Sequence, residues 1–206
     1  FLARVAADIG SEHIAVAHTA DDQAETVLMH LLRGAGLAGL RGMLPVSPLA
    51  EYRLADVEPE VEPASLFLWR PLLDVTRAQV EAYCREHGLH PRFDRSNLDT
   101  TFFRNRLRHE LLPLLATYNP AIKAVLGRTA HVLADDYAYL HAETLRAWGS
   151  LVRHEDEREI VLDLAGWRAL PPSLARALLR EAVRRLRRRL RNINWEHIER
   201  AYEVAR

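Results

Sequence analysis

The sequence lacks several features that would place it in familiar classes of protein. Cys84 is the only cysteine among 206 residues, so neither an intrachain disulfide nor a cysteine-based zinc site can form. One cysteine suits a reducing compartment, and we expect a cytoplasmic protein. No stretch reaches the roughly 18 to 20 uninterrupted apolar residues of a membrane helix, so no membrane partner is expected. Residues 1–10 contain Arg4 and Asp8 and do not resemble a signal peptide.

The chain also lacks net charge, which is formally zero, so its overall charge does not indicate a nucleic-acid partner. The charges are nevertheless unevenly distributed. Residues 51–62 are acidic, whereas residues 176–191 contain eight arginines and one acid, Glu181. An anionic partner is therefore expected at the second region.

The first 90 residues alternate between helical and strand patterns. Short apolar runs at 14–17 and 66–69 predict buried strands, and each is followed by a helical pattern. Thr76 and Gln79 form a capping-box pattern at the start of the second of these helices. This order predicts an α/β fold with a parallel sheet. The acidic, proline-containing segment 51–65 is predicted to be an exposed excursion.

From about residue 119 the pattern becomes mainly helical. Residues 122–148 form one long helical pattern, residues 160–162 resemble a short strand, and Pro171-Pro172 predicts a helix start. We therefore predict two domains, residues 1–118 and residues 119–206, the second being small and mainly helical.

The segment from His18 to Thr26 contains three carboxylates, Asp21, Asp22 and Glu25, directly after a predicted parallel strand. Ligands of α/β proteins bind at the carboxyl ends of such strands. Carboxylates at this spacing can hold a hard cation such as Mg²⁺, which usually accompanies phosphate groups. On spacing alone, however, acids also favour the first turn of a helix because of its dipole. Both interpretations stay open at this point.

A second segment combines Asp94-Arg95-Ser96-Asn97 with the basic run 104–109. Aspartate and asparagine suit a turn. Arginines beside a helix start can bind phosphate or an acyl-adenylate, since guanidinium pairs with such oxyanions through two hydrogen bonds. A solvated basic helix face would give the same pattern, so the segment alone does not decide.

Taken in order, these motifs resemble the tRNA(Ile)-lysidine synthase family. The similar segments are Ala17–Leu28, Leu32–Leu37 with its glycine-rich continuation to Met43, Arg70–Leu73, Asp94–Asn97 and Arg104–Arg108. The resemblance is close over residues 1 to about 118 and fades beyond. It implies a Rossmann-like catalytic domain of the adenine nucleotide alpha hydrolase type, followed by a helical appendage.

The resemblance implies an ATP- and Mg²⁺-dependent ligase. Such an enzyme adenylates the wobble cytidine in the CAU anticodon of tRNA(Ile), and free lysine then displaces AMP to give lysidine. Carried over by position, catalytic roles fall on Asp21, Asp22 and Arg104. Asp21 or Asp22 would bind Mg²⁺ or the ammonium group of lysine, and Asp22 is taken as the metal ligand, although the sequence does not distinguish the two. Nucleotide- or substrate-binding roles fall on His18, Glu25, Arg70, Asn105 and Arg108. A homodimer is compatible with the sequence.

One element of the family is absent. Its phosphate-binding loop, Ser-Gly-Gly-x-Asp-Ser, has no counterpart in residues 1–20, where Gly10 is the one glycine. In the family that loop lies upstream of the position where this chain begins. We therefore expect a truncated catalytic domain that is inactive on ATP by itself.

Arginines recur every four residues in the last helical pattern, opposite its leucines. The positions are Arg176, Arg180, Arg184 and Arg188. This spacing predicts one helix face, and a tRNA backbone is a natural partner for it. A solvated arginine-rich surface is the alternative.

Two other functions remain open. A related tRNA 2-thiocytidine synthase typically depends on cysteines and an iron–sulfur cluster, which the single Cys84 disfavours. A non-catalytic tRNA-binding protein would lack the ATP loop altogether. The gene sequence upstream of Phe1 separates the second alternative from the enzyme.

Overall fold

The computed structural model describes residues 1–49, 66–92, 94–187 and 193–206. The described residues pack into two compact units, Phe1–Ala134 and Asp135–Arg206. The division lies inside a long helix, so the boundary near residue 118 stays a prediction. The predicted excursion at 51–65 lies outside the described residues, as does Arg188. None of the described helices combines the length and the apolar character needed to cross a bilayer.

The first unit begins with alternating helices and strands. Their bounds are α1 Leu2–Asp8, β1 His13–Ala15, α2 Ala20–Leu32, α3 Leu37–Leu40, β2 Val46–Pro48, β3 Phe67–Trp69 and α4 Arg77–Glu86. A 3₁₀ turn at Arg95–Leu98 follows, then α5 Phe103–Arg106, a π-helical turn at Leu107–Leu111 and α6 Leu112–Tyr118. Helix α7, Ile122–Leu151, begins in this unit and ends in the second.

The described sheet of this unit has the strand order β1-β3-β2. β1 and β3 are parallel, as predicted, with Ile14 opposite Leu68. β2 is antiparallel to β3, with Ser47 opposite Leu68, so the sheet is mixed. The predicted α/β fold is confirmed. β2 was not predicted, because a three-residue strand carries too little period to be recognised. Helices α2 and α4 follow the carboxyl ends of the two parallel strands.

Two small apolar clusters support this unit. Ala6, Ile14, Leu49 and Leu66 pack α1 against the sheet. Leu28 of α2 packs with Leu107 and Leu112 from the π turn and α6. On α2, Ala24, Val27 and Leu28 are buried, whereas Leu31 and Leu32 are more than half exposed. Tyr83 of α4 is also exposed.

The glycine-rich segment after α2 is held against that helix by one buried side chain. Gln23 Nε2 donates to the Met43 carbonyl at 2.9 Å, and the Met43 N–H donates to Gln23 Oε1 at 2.8 Å. Gly42 has φ +64°, and a Cβ there would lie 2.6 Å from Gln23 Oε1. Only glycine therefore allows both the backbone conformation and the close approach.

Replacing Gly42 with alanine is expected to destabilise the protein by about 1–3 kcal/mol, through backbone strain and displacement of Gln23. Gly34→Ala is the matched control, because Gly34 has φ +72° but a Cβ there would meet nothing within 4 Å. Chemical denaturation of both variants measures the difference. Equal destabilisation of the two variants would show that the close approach to Gln23 contributes nothing.

The second unit contains a hairpin and helices. Its elements after α7 are β4 Val152–Glu155, β5 Ile160–Leu162, α8 Leu164–Arg168, α9 Pro172–Arg187 and α10 Trp195–Ala205. β4 pairs antiparallel with β5, and only β5 was predicted. Trp148, Trp167, Ala175, Leu178 and Tyr202 form the core. Trp167 donates its indole N–H to the Ala175 carbonyl at 3.2 Å, so the polar atom of this buried ring has a hydrogen-bond partner.

Candidate functional site

The candidate site is a quartet of two acids from the start of α2 and two arginines from the region of α5. Glu25 accepts hydrogen bonds from Arg104 Nε at 2.8 Å and from Arg108 Nε and Nη2 at 2.6 and 2.9 Å. Asp22 Oδ1 lies 3.2 Å from Arg104 Nη2 and 3.5 Å from Arg108 Nη2. Segments about 80 residues apart in sequence therefore form one cluster whose formal charges cancel.

Local structure explains how Asp22 reaches the quartet. Thr19 caps α2, and its hydroxyl and backbone N–H both donate to Asp22 Oδ2, at 2.7 and 2.9 Å. This capping box fixes the Asp22 carboxylate and leaves Oδ1 facing the arginines. Burial raises the pKa of Asp22, but the Thr19 hydrogen bonds and the two arginines outweigh burial and hold it below its usual value.

The two arginines share a helix face across a local irregularity. Arg104 lies in α5 and Arg108 in the π turn Leu107–Leu111. Pro113 has no N–H and cannot donate within the helix, which helps explain why regular α-helical bonding is interrupted here. Residues four apart on a helix are neighbours, so both guanidinium groups reach Glu25.

Exposure distinguishes the acids from the arginines. The Glu25 side chain is 2% exposed, whereas those of Arg104 and Arg108 are 38% and 21% exposed. The acid therefore anchors the pair from inside, and the guanidinium groups face solvent. A surface of this kind can bind a carboxylate or a phosphate.

His18 lies just beyond the carboxyl end of β1 and is partly buried. Its Nδ1 atom is buried and has no hydrogen-bond partner among the residues that the structure describes. Burial lowers the pKa of His18; the Asp22 charge opposes that shift, and Arg70 and Arg104 add to it. The ring as a whole is partly exposed, so a neutral imidazole is available at the strand ends.

Asp21, which precedes Asp22, points away from the quartet. Its Oδ1 accepts a hydrogen bond from Lys123 Nζ at 2.6 Å, and its Oδ2 accepts one from the Arg77 N–H at 2.7 Å. Burial raises the pKa of Asp21, but the contacts with Arg77 and Lys123 lower it by more, so the pKa lies below its usual value. The structure thus separates two neighbouring acids that the sequence could not distinguish.

Arg70 and Asn105, two of the predicted binding residues, make internal contacts. Arg70 is 2% exposed, and its Nη1 donates to the Leu44 carbonyl and to Ser47 Oγ, both at 2.8 Å. Asn105 Nδ2 donates to two backbone carbonyls of the 3₁₀ region, those of Ser96 and Asp99, both at 2.8 Å. Arg70 therefore ties β2 to β3, and Asn105 holds the loop that precedes α5. A role for either in ligand binding stays a prediction.

Comparison with known proteins places this geometry in context. Residues 1–115 match the family model described as PP-loop domain, which is more than half of the chain. The chain belongs to the PP-loop domain family. This is a class of ATP-using domains, and the match covers the whole quartet together with His18.

Curated relatives of this PP-loop protein are similar to it over almost its full length. The chain is 41% identical over 199 residues to a tRNA(Ile)-lysidine synthase of Dehalococcoides mccartyi and 39% identical over 199 residues to one of Geobacter sulfurreducens. It is 38% identical over 210 residues to one of Symbiobacterium thermophilum. These matches cover 97%, 97% and 99% of the chain but only 40%, 39% and 41% of the relatives. The resemblance predicted from the motifs is confirmed, and the chain spans about two fifths of the length of these relatives.

The acids of this PP-loop domain do not present an arrangement that fits a divalent cation. Both oxygens of Asp22 face Thr19 or an arginine, both oxygens of Asp21 are engaged, and Glu25 faces two guanidinium groups. In the described part of the chain, metal-capable side chains converge at His154, Asp156 and Glu159, an exposed group of the second unit. Asp22 as a Mg²⁺ ligand therefore stays a prediction, and we derive no step through the ion.

The lowered pKa of Asp22 predicts how the domain responds to acid. A depressed folded-state pKa contributes stability above the unfolded value, near 3.8, which is lost as pH falls below it through the folded pKa. Asp22→Asn is expected to flatten the pH dependence of stability in that window. Unfolding of both proteins at several pH values below 5 measures this. Parallel curves would contradict the assignment.

The predicted nucleic-acid face on α9 is only partly available. Arg176 donates to both oxygens of Glu199 at 2.6 Å and lies 4.3 Å from the centre of the Tyr202 ring. Arg184 pairs with the buried Glu181 through two hydrogen bonds, of 2.7 and 2.5 Å, yet half of its side chain is exposed. Arg180 is exposed. Arg176 therefore links α9 to α10, whereas Arg180 and Arg184 face solvent.

Sequence reasoning did not single out Thr19 or Lys123. Thr19 could have been found, because Thr19 and Asp22 are spaced as the ends of a capping box, although that box ends in aspartate instead of glutamate or glutamine. Lys123 carries no local signal, because its partner lies 102 residues away in sequence.

Proposed function

We propose that this PP-loop domain is the catalytic part of a tRNA(Ile)-lysidine synthase. ATP would adenylate the wobble cytidine of a CAU anticodon with release of pyrophosphate. The amine of free lysine would then form the new carbon–nitrogen bond, losing a proton as AMP leaves. The observation that carries the proposal is the quartet of Asp22, Glu25, Arg104 and Arg108 beside His18, within a chain similar to curated lysidine synthases.

The exposed side of the quartet suits the groups that this reaction brings together. Arg104 and Arg108 can receive the carboxylate of lysine or the phosphate of the adenylated base, since guanidinium binds both in the same planar manner. Asp22 contacts both arginines through Oδ1 and would receive an ammonium group by displacing one of them. Glu25 is too buried to contact a ligand and acts by holding both arginines in place. Arg104 is thus the main proposed contacting residue, with Asp22 as its partner.

His18 is proposed to line the pocket for the nucleotide or for the cytidine. The ring is partly exposed, and a ring that is neutral at physiological pH suits an uncharged base. ATP and Mg²⁺ are the proposed cofactors, because a divalent cation neutralises the charge of the phosphate groups. A tRNA-modifying activity of this kind is proposed to occur in the cytoplasm.

The test is incorporation of labelled lysine into a CAU-anticodon isoleucine tRNA transcript, dependent on ATP and Mg²⁺. It is run with the full product of the gene and, beside it, with residues 1–206 alone. Incorporation by the full product supports the proposal. If the folded full product incorporates no lysine into intact tRNA, the proposal is wrong, and tRNA binding without incorporation would favour a non-catalytic role.

A further inference from the structure

The contacts of Asp21 differ in kind from those of Asp22. Asp22 Oδ1 faces the two arginines of the quartet, whereas Asp21 bonds to the starts of two other helices, at Arg77 of α4 and Lys123 of α7. The Asp21 side chain is 13% exposed, so these contacts occupy most of its surface. Two consecutive acids on one helical turn therefore serve different parts of the unit.

The contact with Arg77 is a helix cap supplied from another helix. Arg77 is the first residue of α4, and the N–H groups of a first turn have no acceptor within their own helix. Thr76 satisfies the Gln79 N–H, and Asp21 satisfies the Arg77 N–H. In return the Ala20 N–H donates to the Val75 carbonyl at 2.9 Å. Two hydrogen bonds therefore join the starts of α2 and α4, which follow the parallel strands β1 and β3.

The contact with Lys123 adds a third helix. Lys123 is the only lysine among 28 basic residues, and its Nζ lies 2.6 Å from Asp21 Oδ1 at the start of α7. More than half of the Lys123 side chain is exposed, so this ion pair alone contributes little stability. Its effect is geometric, because it selects one orientation of a carboxylate that already caps α4.

We infer that Asp21 is a positioning residue that sets the distance between the starts of α2 and α4, and so places Asp22 and His18 for the reaction. The inference rests on the proposed function for its kinetic part. Asp21 itself touches no substrate. Its carboxylate acts through Arg77, and Lys123 supports it.

Three substitutions separate positioning from ligand binding. Asp21→Asn keeps an oxygen that accepts the Arg77 N–H, so kcat is expected to stay within about threefold of wild type. Asp21→Ala removes the cap and is expected to lower kcat about tenfold at unchanged KM for lysine, because a small misplacement of reacting groups is costly. Asp22→Asn, which alters the quartet, is expected to lose far more activity than Asp21→Asn.

A kinetic result can overturn the inference. If Asp21→Asn is as inactive as Asp22→Asn while folded, or if Asp21→Ala raises the KM for lysine instead of lowering kcat, Asp21 contacts a ligand. Retention of full kcat by Asp21→Ala would show that the cap is unimportant.

Hydrogen exchange of the Arg77 amide tests the cap without any activity. Exchange is expected to be slow in wild type and Asp21→Asn and at least about tenfold faster in Asp21→Ala. Equal rates in all three would overturn the cap. An inactive wild type with the expected exchange pattern would reject the proposed function and leave the structural role of Asp21 supported.

Discussion

Glu25→Gln is expected to reduce lysine incorporation by about 100-fold or more, although Glu25 is too buried to touch a substrate. Its carboxylate accepts three hydrogen bonds from Arg104 and Arg108. Glutamine has the same shape, but its amide nitrogen cannot accept from a guanidinium group. At least one arginine therefore loses its partner and turns, and loss of an oriented charge at a reacting group has effects of this size.

The effect of Glu25→Gln on stability should be much smaller than its effect on rate. Both arginines remain partly exposed, so solvent screens the unpaired charge and the expected loss is about 1–2 kcal/mol. Glu143→Gln is the control, because Glu143 pairs with Arg146 on an exposed helix face. Incorporation rates and thermal unfolding are measured on both. A rate for Glu25→Gln above one third of wild type would contradict the anchoring role.

Removing Arg180, Arg184 and Arg188 from the basic run is expected to weaken tRNA binding about tenfold or more at physiological salt. The variant is Arg180→Gln with Arg184→Gln and Arg188→Gln. The slope of log K against log salt should also become shallower by roughly one for each phosphate group that the variant no longer binds. Filter binding at several salt concentrations measures both quantities.

Arg176→Gln is the informative comparison for that variant. Arg176 is held by Glu199 and stacked on Tyr202, so its loss is expected to lower the unfolding temperature and to leave the salt slope of binding unchanged. If the triple variant keeps the wild-type slope, α9 does not contact the tRNA backbone. If Arg176→Gln alone makes the slope shallower, its guanidinium leaves Glu199 to bind RNA.

The quartet also explains why the two sequence interpretations of its parts were both incomplete. Asp21 and Asp22 do occupy the first turn of α2, where the helix dipole and the capping box favour them. Arg104 and Arg108 of the basic run do share a helix face. Neither pattern indicates that the acids and the arginines bind each other, because each pattern spans only a few consecutive residues.

The sequence by itself determined the local elements and the family. The capping box at Thr76, helical periodicity and the ordered motifs depend on residues within a few positions of each other, so they can be read from the chain. The parallel pairing of β1 with β3 and the resemblance to lysidine synthases followed from these signals.

Only the tertiary structure decided which polar groups meet. Arg104 reaches Glu25 across 79 residues, Lys123 reaches Asp21 across 102, and Arg176 reaches Glu199 across 23. Such pairs leave no periodic signal in the sequence. The packing of whole helices offsets the entropic cost of closing the intervening chain, and the ion pair itself contributes little. Asp21 and Asp22 are the same type of residue, so the sequence does not distinguish them. Helix α2 points their carboxylates in different directions, and they therefore bind different partners.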